Sequence, residues 1–181
     1  MDRRNFIKLG ALGTIILGSG IPACNFQNKS SSEKRTEDIA VVGGTPAGIM
    51  AAIAASRAGS KVMLMEHYKH LGGMSTNGLG KSDITNKEAI AGLFKEFTER
   101  ILKYYEDKYG KDSENVRLCK AGYYYEPSVA EHVFNQMIRE EKNITVLLNH
   151  QLEKAIMNSD KIDGAVFRDR ETGEKKTVKA N

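Results

Sequence analysis

The sequence predicts an α/β fold in which parallel strands alternate with helices and a β-hairpin follows. Three observations carry this expectation. A short apolar run at 39–42 leads directly into Gly43-Gly44-Thr45-Pro46-Ala47-Gly48. An Ala-rich segment at 49–58 separates that turn from a second apolar run at 61–65. Two β-prone runs, 162–168 and 175–179, flank Thr172-Gly173. Continuous apolar runs of four or five residues suit parallel strands buried on both faces.

Composition sets the frame. A chain of 181 residues, 40% apolar, can build a core and is long enough for one domain or part of a larger one. The net charge of +4 is modest. No dense Lys/Arg block with interleaved aromatics occurs, which argues against a nucleic-acid partner. No apolar run approaches the roughly 18 residues that span a bilayer.

Residues 1–24 read as an export signal. Arg3, Arg4 and Lys8 form a positive head, 9–17 is a short Gly-broken apolar run, and small residues follow. Arg3-Arg4-Asn5-Phe6-Ile7-Lys8 resembles the twin-arginine export motif. Ile21-Pro22-Ala23-Cys24 resembles a bacterial lipobox, although Pro22 is unusual there, and makes Cys24 the candidate lipidation site. An exported protein, held at a membrane only through an N-terminal lipid, is the expectation. The two cysteines are Cys24 and Cys119, so acylation of Cys24 leaves no intrachain disulfide. Residues 25–37 are polar and Ser-rich, as in a flexible tether, and the folded part is expected from Asp38.

The chemistry concentrates in 38–80. Strand, Gly-rich turn, helix, second strand and terminal acid make up a dinucleotide-binding fingerprint. Gly43 permits a tight turn out of the strand, and Gly48 lets helix and strand pack closely. Free N–H groups at the helix start, with the helix dipole, suit a pyrophosphate. Glu66 lies 18 residues beyond Gly48 and can accept hydrogen bonds from a ribose diol. Thr45 stands where the pattern has its second Gly. Its Cβ falls where backbone approaches phosphate, and its hydroxyl is a candidate donor to a phosphate oxygen.

A second Gly-rich stretch, HLGGMSTNGLG at 70–80, follows the acid. Together, VVGGTPAGIMAAIAASRAGSKVMLME and HLGGMSTNGLG resemble a bacterial family of FAD-dependent oxidoreductases within the glutathione-reductase-like superfamily, whose members are often labelled xanthan lyase. The resemblance is close over 38–84 and runs more weakly through Tyr125-Glu126-Pro127-Ser128-Val129-Ala130-Glu131. The Gly-Thr-Pro-Ala-Gly variant is typical of that branch. The resemblance implies a Rossmann-like FAD-binding domain over 38–181 with an antiparallel β-meander after its third strand. It implies FAD as cofactor and a cofactor-binding set of Gly43, Gly44, Thr45, Pro46, Ala47, Gly48 and Glu66. Gly72, Gly73 and Met74 then lie over the pyrophosphate and flavin. In the family a stretch like 178–181 runs into a further strand and an Ala-Thr-Gly segment, with a substrate-binding portion beyond. The resemblance therefore also implies an N-terminal part of a longer enzyme.

The remaining elements complete the architecture. Thr85 and Glu88 form a capping-box pattern ahead of Ile90, Leu93, Phe94, Phe97, Ile101, Tyr104 and Tyr105, which repeat at helical spacing up to Gly110. Ser128 and Glu131 do the same ahead of Ala130, Val133, Phe134, Met137 and Ile138. Residues 144–148 read as the third parallel strand. His67 and His70 lack the further ligands zinc requires and read as loop residues, with no metal expected. His132 reads as a helix face, His150 as a strand end, Tyr123 to Tyr125 as packing, and Cys119 as a thiol without a redox partner. No catalytic side chain is assignable. Two function classes stay open: a flavin oxidoreductase exchanging hydride with a small organic substrate, and a non-catalytic, lipid-anchored nucleotide-binding fragment.

Overall fold

The computed structural model describes residues 37–180. The expected signal with Arg3, Arg4 and Cys24, and all of the expected tether except Glu37, lie outside the described residues.

Strand β1 (Ile39–Val42) leads through the glycine turn into helix α1 (Pro46–Arg57), and β2 (Val62–Met65) follows. Helix α1 starts three residues before the Ala-rich run. Pro46 sits in its first turn, where a missing N–H costs nothing, and the Thr45 side chain caps it by accepting from Gly48 N at 3.3 Å. A long connection carries two short 3-10 turns, Gly73–Thr76 and Lys87–Ala89. Helices α2 (Gly92–Tyr109), α3 (Glu114–Leu118) and α4 (Pro127–Arg139) then lead to β3 (Ile144–Leu147). The chain continues into β4 (His150–Asn158), β5 (Lys161–Asp169) and β6 (Lys175–Val178).

The strands form two sheets. One is parallel in the order β1-β2-β3, with Val41, Leu64 and Val146 in register. The other is the antiparallel meander β4-β5-β6. All four residues of β2 are buried, and their alternation divides the core. Val62 and Leu64 pack with Ile49, Ile53, Phe97, Ile101, Phe134 and Met137 of the helical layer. Met63 and Met65 pack with Phe167 and Val178 of the meander. The Phe97 and Phe134 rings stack at 4.4 Å between centroids in the middle of the helical layer. At its rim Arg57 of α1 bridges Glu96 of α2 and Glu141, each at 2.7 Å. Among the described residues β1 is paired on one side only, and Val42 is 54% exposed.

Both expected capping boxes are replaced by other starts. Asn86, not Thr85, caps the 3-10 turn, accepting from Glu88 N at 3.1 Å. The chain is extended at Ile90 and Ala91, and Gly92 has φ +63, so no helix propagates from residue 85 and α2 begins at Gly92. In α4 Pro127 takes the first turn, which puts Ser128 inside the helix rather than at its cap. The Glu126 side chain, at the cap position, accepts from the Tyr105 hydroxyl instead. Helix α3 and strand β4 lie outside the elements expected from sequence.

Burial, and then the bond to Glu126, raise the Tyr105 phenol above its ordinary value. A group whose folded pKa is raised stabilises fully below its unfolded value, about 10 for tyrosine, and loses that contribution as pH rises further. The melting temperature is therefore expected to fall more steeply above about pH 10 in the wild type than in Tyr105→Phe. Parallel alkaline profiles for the two proteins would contradict this.

Candidate cofactor site

The site is built where β1 and β2 end. Gly43 leaves β1 with φ +105, and its N–H donates to Met65 O at 2.8 Å, extending the sheet by one bond. A Cβ on Gly43 would meet no protein atom within 4 Å, so its backbone conformation, not crowding, requires glycine. Gly48 is the reverse case. Its Cβ would collide with the Gly43 carbonyl oxygen and lie 3.5 Å from Val41 Cγ1. That is the close helix–strand packing its position in the fingerprint demands. Gly44 is buried, and a Cβ there would run into the Leu71 side chain and stand 3.0 Å from Glu66 Oε2.

Glu66, 7% exposed, grips the turn from the end of β2. Its Oε2 accepts from Gly44 N at 2.5 Å and its Oε1 from Tyr68 N at 2.9 Å. Each oxygen keeps a second lone pair for a further donor.

The second glycine-rich stretch folds onto the first. Gly72 N donates to Gly44 O at 2.7 Å, and Leu71 covers Gly44. Gly73, with φ +52, lies so close that its Cβ would stand 3.4 Å from Thr45 Cγ2 and 3.6 Å from Pro46 Cδ. Met74 follows on the same 3-10 turn and is 72% exposed. The fold thus brings Gly43 to Gly48, Glu66, Gly72 and Gly73 into one place, with Met74 at its edge. Leu71, Tyr68 and Asn77 also belong to this place. Only Leu71 left a signal, as the one large aliphatic side chain directly before the Gly-Gly pair.

The residues present fit a pyrophosphate. Among the described residues the N–H groups of Thr45 and Ala47 meet no acceptor, and both stand at the start of the 12-residue helix α1. The helix dipole places partial positive charge there. The Thr45 hydroxyl accepts from Gly48 N, which leaves its own proton to donate elsewhere. A separate cavity of about 780 Å³ lies between α2 and α4, lined by Tyr104, His132 and Arg139 among others. A cleft of about 320 Å³ runs from Ile39 and Val42 of β1 to Gly164 and Val178 of the meander. Neither includes a residue of the glycine turns.

A Rossmann-like sheet, a glycine turn opening α1 and an acid closing β2 define a dinucleotide-binding domain. Residues 38–181 match the model of the FAD dependent oxidoreductase family, and the chain belongs to that family. Its cofactor is therefore FAD.

Solved structures share the fold at low identity. The open conformation of a flavocytochrome c3 fumarate reductase matches with TM-score 0.52 and 20% identity, covering 81% of this chain and 32% of that one. A 3-ketosteroid-delta4-(5alpha)-dehydrogenase from Rhodococcus jostii gives TM-score 0.52 and 10% identity, over 84% of this chain and 46% of its own. THI4 from Thermovibrio ammonificans gives 0.51 and 16%, over 80% and 54%. The chain thus spans about a third to a half of the length of these structures.

Proposed function

We propose that this chain is the cofactor-holding part of an oxidoreductase in which FAD exchanges a hydride with a small organic substrate. The observation that carries the reading is the stacking of two glycine turns, joined by Gly72 N to Gly44 O, with Glu66 gripping the first, beside Thr45 and Ala47 N–H groups that meet no acceptor among the described residues. Bound FAD supplies a ring that takes up or gives back a hydride; the protein supplies position and electrostatics. In this reading Gly43, Gly44, Pro46 and Gly48 shape the turn, and Thr45 and Ala47 donate to the pyrophosphate. Glu66 accepts from the ribose while it keeps the turn formed. Gly72, Gly73 and Met74 cover the pyrophosphate on the flavin side.

A second reading, nucleotide binding without turnover, is favoured by the edge of β1, which is unpaired among the described residues, and the cleft beside it. Turnover separates the two. Reduction of bound flavin by any organic donor, followed by reoxidation with an acceptor, supports the first. Stable flavin that no donor reduces supports the second.

We further infer that residues 1–24 direct folded, FAD-loaded protein through twin-arginine export, with Cys24 as the lipid anchor and 25–37 as tether. FAD is made inside the cell, so a flavin fold and a route for folded cargo suit each other. Replacing Arg3 and Arg4 together by Lys preserves charge but removes the planar guanidinium fork. The double variant is expected to accumulate in the cytoplasm with flavin bound. Fractionation that finds it exported like the wild type would remove this part of the proposal.

A further inference from the structure

The loop that carries the second glycine pair is held shut at its base. His70 opens it and Asn77 ends it, and His70 Nε2 lies 2.8 Å from Asn77 Oδ1. The Asn77 amide nitrogen donates to Gly73 O at 2.7 Å, so its oxygen is the acceptor and His70 Nε2 carries the proton. The Thr76 hydroxyl meets Leu71 O at 2.7 Å and Gly73 O at 3.2 Å. Tyr68 lies nearly parallel to the imidazole, with centroids 6.2 Å apart and planes 20° apart. The same short loop presents Gly72 N to Gly44 O and sets Gly73 against Thr45 and Pro46.

From this geometry we propose that His70 is a positioning residue: its bond to Asn77 closes the base of the 71–76 loop and holds the second glycine turn against the first, slowing flavin release. The inference rests on the FAD reading given above. Two features make the clamp specific. The bond joins the two ends of the loop, so losing it opens the base while the Thr76 bonds to Leu71 O and Gly73 O hold only the interior. Asn77 also reaches Gly73, whose left-handed backbone (φ +52) faces Thr45, so the clamp acts on the residue that touches the first turn. Among the described residues His70 makes no hydrogen bond to a fingerprint residue. It acts through Asn77.

The test uses the full-length protein, with any sequence its gene encodes beyond Asn181. Flavin release is followed by fluorescence after dilution, and amide hydrogen exchange is recorded over 71–77 without flavin. His70→Leu keeps an apolar body against Tyr68 but has no donor. It is expected to speed release about fivefold, the fold-change equivalent to one net hydrogen bond of about 1 kcal/mol, and to speed exchange across the loop. His70→Gln offers an amide donor and is expected to restore most of both. With Asn77→Ala already present, His70→Leu should add almost nothing, because the two residues act as one unit. Release and exchange at wild-type rates in His70→Leu would overturn the proposal. So would a His70→Gln variant as fast as His70→Leu, or full additivity with Asn77→Ala. If the wild type takes up no FAD, the FAD reading fails, and loop exchange in the same variants still decides whether the clamp exists.

Discussion

Gly48→Ala is expected to lower thermal stability and to abolish flavin retention, although it adds only one carbon. Its Cβ would fall on the Gly43 carbonyl oxygen, with Val41 close behind. The obstacle is backbone in a turn whose N–H is already committed to Met65 O, so no side chain can swing aside. Either α1 lifts off β1 or the turn opens. Overpacking of this kind costs about 1–3 kcal/mol and sometimes more. Both outcomes also move the Thr45 and Ala47 N–H groups, so binding is lost beyond what stability alone explains. Gly43→Ala provides the contrast: with no protein atom within 4 Å, its penalty is the positive φ alone, about 1–3 kcal/mol. Melting curves and FAD titration check the pair. A Gly48→Ala protein that melts and binds like the wild type would mean that helix and strand are not packed this closely.

Glu66→Ala is expected to weaken both the ligand-free fold and FAD binding. Without the carboxylate the Gly44 and Tyr68 N–H groups lose their acceptor, and the Gly44 amide is buried. A buried donor left unsatisfied costs about 1–3 kcal/mol. Loss of the proposed acceptor for the ribose hydroxyls is expected to weaken FAD affinity by a further factor of about 5–150, the same range of about 1–3 kcal/mol. Glu66→Gln is expected to fall between. Its single carbonyl oxygen can serve one N–H, while its NH₂ faces the other donor to donor. Melting of the ligand-free protein reads the first effect and FAD titration the second. Unchanged melting would remove Glu66 from the turn, and unchanged affinity would remove it from the ribose.

Much of this was legible because strand, turn, helix and acid are coded by local spacing. The run 39–42, the glycines at 43, 44 and 48, and Glu66 all fall within the single stretch 39–66, in an order that spacing alone reveals. The grip of Glu66 on Gly44 was not legible. Sequence offers a carboxylate at the right distance for ribose but does not show which backbone N–H it meets first. The stacking of Gly72 and Gly73 on the first turn was likewise hidden, because a glycine-rich loop carries no periodicity. Its association with the turn came only from family resemblance. The capping boxes misled for a physical reason: Pro127 and Gly92 dictate where their helices start more strongly than a Ser or Thr with an acid three residues on. Strand β4 escaped notice because most of its residues are exposed, so it lacks the apolar alternation that marks β5.

In the proposed function the glycine turns and Glu66 form a seat for FAD rather than for a nicotinamide dinucleotide. The most direct measurement is the visible absorbance of the full-length protein as purified, and after incubation with FAD and gel filtration, with NADH binding measured in parallel. The expected result is a yellow protein, or a colourless one that turns yellow with about one FAD per chain, the single seat of a dinucleotide fold. A colourless protein that cannot be reconstituted with FAD, yet binds NADH, would contradict it.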